Sequence, residues 1–237
     1  MVPRWTGPVL ALSQNDPAGT APPSRAAITH LYEPPPGTSI APRSWSKSNP
    51  DLQVREVCAG CNAGWMNDLE TTARPVLNDL IQGRRLNLGQ GDQSMLAAWT
   101  FKTELMFQLA RPADVRCIDA SRFAEFYVDR VPPSDFSVWI GATSGGPAVF
   151  ELATEATFGL GGGKAILGCI AVLAFGNLLL VMAGPKVLTT EFTPVATQTE
   201  PSVLQRIWPS QPGPVLWGVS VVIDGSDLSN APRLIVP

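Results

Sequence analysis

The chain is predicted to be a mixed α+β protein, helical in its first half and β-rich in its second, behind an irregular start. Three observations carry this. Apolar residues recur every three to four positions between Gly64 and Val131. Short β-leaning runs follow from Phe136 onward. Prolines crowd the N-terminal third, with Pro22-Pro23 and Pro34-Pro35-Pro36 as breaks. With 237 residues, 45% of them hydrophobic and 16% charged, the chain can bury a sizeable core, and its composition is not that of a disordered protein.

Taken in order, a first short strand is expected around Ala27 to Tyr32, and a β-leaning run at Val54–Val57 leads into Cys58. From Gly64 to Ile81, Trp65, Met66, Leu69, Ala73, Val76, Leu77, Leu80 and Ile81 share one helical face. Pro75 is expected to kink that helix or start another, and Gly83 to end it. A second helix is predicted from Asp92, as N-cap, to Ala110 before Pro112, apolar around most of its circumference and therefore buried. A third fits Ala120–Val131, stopped by Pro132-Pro133. Strands are predicted at 136–140, 148–152 and 156–160, then in the tail at 203–207 and 215–223.

The apolar stretch from Ala165 to Ala183 is nearly bilayer length. Gly168 and the central Gly176-Asn177 favour a buried hairpin, with strands at 166–175 and 178–182, over a membrane helix. No membrane partner is expected. The opening Met1-Val2-Pro3-Arg4-Trp5 lacks the apolar core of a secretory signal, so a cytoplasmic location is expected. The formal net charge of −3 argues against a basic surface spread over the whole chain and leaves room for a local basic strip.

The string with chemical content is Cys58-Ala59-Gly60-Cys61-Asn62-Ala63-Gly64-Trp65. Two thiolates with two small residues between them can turn onto one tetrahedral zinc, supplying half of a structural site. Cys117, Cys169 and His30 stand alone, and nothing in their spacing makes them the other half. A thioredoxin-like redox pair and two core cysteines are the competing readings; the first lacks a βαβ context here.

Extended to Glu70, this string resembles the Cys-x-x-Cys-Asn-x-Gly-Trp-Met-x-x-Leu-Glu signature of a bacterial group of HNH-endonuclease-like proteins. The likeness continues through Ala73-Arg74-Pro75, Leu80-Ile81-Gln82-Gly83, Ala98–Thr103 and Phe126-Tyr127, covering most of residues 1–185. The resemblance implies an HNH-like ββα-metal module stiffened by a zinc knuckle over residues 1–85. A helical and then β-rich region of unknown role fills 86–237. It also implies phosphodiester hydrolysis of DNA, with structural zinc on Cys58 and Cys61 and a catalytic magnesium or other divalent ion. Asn62 falls where such proteins place a metal ligand; it is equally explained as a turn or N-cap residue.

The family pattern has an earlier cysteine pair and a Glu-His ahead of residues that Met1–Trp5 resemble. Met1 is therefore expected to be an internal methionine of that pattern, and hydrolysis by this chain to be impaired without the upstream pair and base. A non-catalytic zinc module binding nucleic acid or protein is the alternative. His30, beside Leu31, Tyr32 and prolines, reads as a structural strand-end residue. Arg84-Arg85 could meet phosphate, but a helix C-terminus explains them as well. Lys102 and Glu104, polar on an apolar helix, either line an internal polar site or face solvent. Residues 159–163 lack the Gly-Lys-Ser/Thr ending of a phosphate loop, and Trp99, Trp139, Trp208 and Trp217 read as packing residues.

Overall fold

A computed structural model describes residues 28–33, 43–47, 57–144, 149–161, 164–187, 203–218 and 222–234. The fold is α+β. The Val54–Val57 run lies outside the described residues except for Val57.

Helix α1 (Ala59–Ala63) and helix α2 (Trp65–Ile81) meet at Gly64. A side chain at Gly64 would bring Cβ within 2.7 Å of the Gly60 carbonyl oxygen, so the tight junction requires glycine. Met66, Ala73, Leu77, Leu80 and Ile81 of α2 are buried, the stripe expected from the periodicity. The helix continues through Pro75, so no second helix starts there. Both Pro75 and Thr71, whose carbonyl loses its partner, are exposed, so water can satisfy that group.

At the far end of α2, Gly83 adopts φ 78°. The Gly83 N–H donates to the Leu80 carbonyl (3.0 Å) and the Arg84 N–H to the Asp79 carbonyl (2.9 Å). That paired arrangement is a Schellman cap.

Helix α3 (Gln90–Leu109) is the centre of the molecule, with every residue from Leu96 to Gln108 buried. Its N-cap is Gly89 rather than Asp92; Asp92 instead accepts the Gly89 N–H at 3.1 Å from within the first turn. Helix α4 (Ala120–Asp129) begins at Asp119, whose carboxylate accepts the Ser121 N–H at 2.9 Å. It ends two residues earlier than predicted, because Arg130 takes a left-handed conformation before the prolines are reached.

One sheet holds eight strands: β1 (Ile28–Glu33), β2 (Arg43–Lys47), β4 (Ser137–Ser144), β5 (Val149–Gly161), β6 (Lys164–Phe175), β7 (Leu178–Pro185), β8 (Leu204–Trp208) and β10 (Val222–Asp224). The order is β10-β4-β7-β6-β5-β1-β2, and β8 shares the outer edge of β4 with β10. Neighbours are antiparallel except β1 with β5 and β10 with β4. A separate ribbon pairs β3 (Leu86–Leu88) with β9 (Val215–Trp217). The two strands predicted at 148–152 and 156–160 are one strand, β5. Ala153-Thr154-Glu155 contains no turn former, and pairing with β6 is continuous from Val149 to Gly159.

The 165–183 stretch is the predicted hairpin. Phe175 pairs with Leu178 across Gly176-Asn177, and Gly176 takes φ 58°. Alternation divides it between two cores. Ala171, Leu173, Phe175, Leu178, Leu180 and Met182 pack with the helices. Ile170, Val172, Ala174, Leu179, Val181 and Ala183 form a second cluster with Leu228. Burial on both faces makes the sequence continuously apolar, which is why it has the composition of a membrane span. Among the described residues no helix is long and apolar enough to cross a membrane.

Candidate functional site

Cys58 is the N-cap of α1 and exposed; Cys61, one turn on, is half-buried against the core. The Cys61 N–H donates to Cys58 Sγ at 3.0 Å, and the Asn62 N–H to the Cys58 carbonyl at 3.0 Å. The turn thus aims a backbone donor at the first sulfur, as a thiolate requires. The Cys61 thiol and N–H, both hydrogen-bonded to the Cys58 sulfur, hold Cys58 below the ordinary thiol range. The same shared bond, then burial and the Cys58 charge, pushes Cys61 up. Both thiols are free. Such a pair fits two corners of a tetrahedral zinc site. Among the described residues no group of three or more His, Cys, Asp or Glu converges to hold a metal, so two corners have no ligand there.

Beside the knuckle lies a cavity of about 460 Å³, walled by Trp65, Met66, Met106, Phe126 and Tyr127, with both thiols on its lining. Lys102 lines it too, 1% exposed, and forms an ion pair with Glu70 of α2. Burial draws the Lys102 ammonium below the usual lysine range, against the pull of Glu70. The Arg130 guanidinium lies 3.9 Å from the ring centre of Trp65 and 4.3 Å from that of Tyr127, two of the residues that wall the cavity.

A second polar cluster is interior. Glu104, Gln108, Arg111 and Glu151 are all buried. Arg111 pairs with Glu151, and Gln108 Nε2 donates to Glu104 Oε1 at 2.6 Å. Burial above all, with the Glu151 charge, pushes the Glu104 carboxyl up to about 8, Arg111 opposing. Gln108 also accepts the N–H of Cys117 at 2.9 Å, and Cys117 is joined to Cys169 in a disulfide. These cysteines therefore meet each other and not the knuckle.

The remaining candidates are scattered. Asn62 is exposed on α1, its backbone serving the turn. Arg84 and Arg85 sit at the opposite end of the 17-residue helix α2 from the knuckle, roughly 25 Å away at 1.5 Å per residue. Arg84 is paired with Asp79 at 2.7 Å and Arg85 is exposed. His30 occupies β1 in register with Trp45 of β2 and Glu151 of β5. Lys102 and Glu104 are internal, the first of the two alternatives the sequence offered. Sequence reading missed Glu70, Arg111 and Glu151, whose partners lie 32 to 40 residues away in the chain, and Arg130, which meets Trp65 65 residues away as well as its neighbour Tyr127; local patterns do not mark contacts at that range. No family model, curated protein or solved structure matches the chain.

Proposed function

We propose that the chain is built on an HNH-like, zinc-knuckle nuclease scaffold, with Cys58 and Cys61 as one thiolate pair of a structural zinc and DNA as partner. The observation that carries this reading is the free Cys58–Cys61 turn, with its 3.0 Å N–H···S bond, opening directly into a helix anchored in the core. The chain order of antiparallel β1 and β2, then knuckle, then helix, supports a ββα arrangement. Bound zinc would serve as a scaffold ion, fixing the turn between β2 and α2. The described residues fill half of its coordination, and no hydrolytic step is assigned to them. Magnesium or a similar divalent ion belongs to the proposed hydrolytic activity of the scaffold.

Zinc content and cleavage of supercoiled DNA with magnesium test this together. The expected outcome is zinc that is retained by the wild-type chain and lost on Cys58→Ser, with DNA bound and cut weakly or not at all. Absence of both zinc and DNA binding would overturn the reading. The apolar cavity beside the knuckle favours a second reading, a non-catalytic module binding nucleic acid or protein. Retained zinc and binding without cleavage, in a form carrying a further cysteine pair and a Glu-His, would select it.

A further inference from the structure

We infer that Arg130 is a DNA phosphate-contacting residue, its guanidinium set in the corner between Trp65 and Tyr127 beside the cysteine turn. The inference rests on the proposed nucleic-acid role and deepens it.

The backbone is the first observation. Arg130 caps α4 at φ 59°, ψ 13°, its N–H donating to the Phe126 carbonyl at 2.9 Å. It is the single non-glycine residue with positive φ among the described residues. This position favours glycine or asparagine, and a residue with a Cβ costs roughly 1 kcal/mol there. Arginine at such a place points to a use for its side chain.

The surroundings are the second. The two rings stand at 71° to each other, and the guanidinium carbon lies over both. With the rings at 71°, one can stack on the guanidinium face while the other meets an edge, which leaves the remaining in-plane N–H donors for an acceptor. No acceptor is supplied among the described residues; Nη1 is buried without a hydrogen bond, so an incoming acceptor would meet the Nε and Nη2 edge. Among the described residues the fully buried cations are answered, Lys102 by Glu70, Arg111 by Glu151, Arg122 by Asp135 and Glu125, whereas Arg206 shares with Arg130 a half-buried side chain and an unpaired nitrogen. A half-buried cation with no carboxylate partner gains a charge-assisted hydrogen bond when an anion arrives.

Location is the third. Trp65, on whose ring Arg130 rests, opens α2 directly after the knuckle. Tyr127 and Val128 are 51% and 74% exposed, so a large partner can approach. A fork held by two rings before binding loses little side-chain entropy on meeting a phosphodiester oxygen pair.

Fluorescence anisotropy of a labelled DNA duplex with the zinc-loaded full chain, across a salt series, tests this. Arg130→Gly suits the left-handed backbone, so its Tm should hold; Arg130→Lys keeps the charge and loses the fork. The expected result for Arg130→Gly is about tenfold weaker binding and a log–log salt slope lower by about one. Arg130→Lys should keep the slope and lose part of the affinity. Unchanged affinity and slope in Arg130→Gly, with wild type binding, would overturn the inference and leave the DNA reading standing. A wild-type chain that binds no DNA would overturn both. Loss of zinc from Arg130→Gly, with unchanged DNA affinity when zinc is resupplied, would assign Arg130 to the thiolates and overturn the inference alone.

Discussion

Glu104 sits with no exposed surface between Gln108 and the charge of Glu151, which is paired with Arg111. Its carboxyl titrates near 8 in the fold against 4.5 as its ordinary value. In the intervening window the folded state holds a proton that the unfolded chain has released, so stability falls as pH rises through it. Thermal unfolding from pH 5 to 8 should therefore show a falling Tm, with a total loss on the order of a few kcal/mol. Glu104→Gln keeps an acceptor for Gln108 and should flatten that profile; an unchanged slope would contradict the assignment. The pair Lys102 and Glu104 was legible as an anomaly, two charges on a helix otherwise apolar all round. Their surroundings were not, because Glu70, which pairs with Lys102, and the Glu151 charge near Glu104 arrive through tertiary packing that local periodicity does not encode.

At the scale of elements, the hairpin turn and the end of α2 stabilise each other. The Asn177 backbone N–H and Nδ2 both donate to the Ile81 carbonyl, at 3.1 and 3.0 Å. Asn177→Ala should cost about 1 kcal/mol by removing the side-chain bond. Gly83→Ala should cost about 1–2 kcal/mol, since its left-handed backbone disfavours a Cβ. Equilibrium denaturation measures both; wild-type stability in Asn177→Ala would contradict the mutual cap, and in Gly83→Ala the need for glycine at the helix end. Gly-Asn between two apolar runs was a readable hairpin signal, and Gly83 a readable helix stop. That the two signals dock on each other was not readable, since 94 residues separate Gly83 from Asn177. That no second helix starts at Pro75 was not readable, because its effect depends on whether the freed carbonyl reaches water, which only the fold decides.

For the whole molecule, the organising feature is a sheet covered on one face by the helices, with the knuckle at the start of α2 and the disulfide inside. Cys117 and Cys169 close a loop of sequence separation 52. Loop closure of that length stabilises by about 4 kcal/mol in the chain-entropy account. Thiol titration of the unfolded, unreduced chain should find Cys58 and Cys61 only, and two further thiols after reduction. Four reactive thiols before reduction would contradict the pairing. Alternating burial in β6 and β7 was legible as a hairpin, and the helical half as helices. The assembly of eight strands was not, because β1 joins β5 across more than a hundred residues of chain.

The central claim, that Cys58 and Cys61 bind metal as thiolates, is tested most directly by titrating the chain with cobalt(II) and recording its absorption. Thiolate-to-cobalt charge-transfer bands should appear in the wild type, weaken when zinc is added, and be absent in Cys58→Ser. A wild-type spectrum indistinguishable from that of Cys58→Ser would contradict the claim.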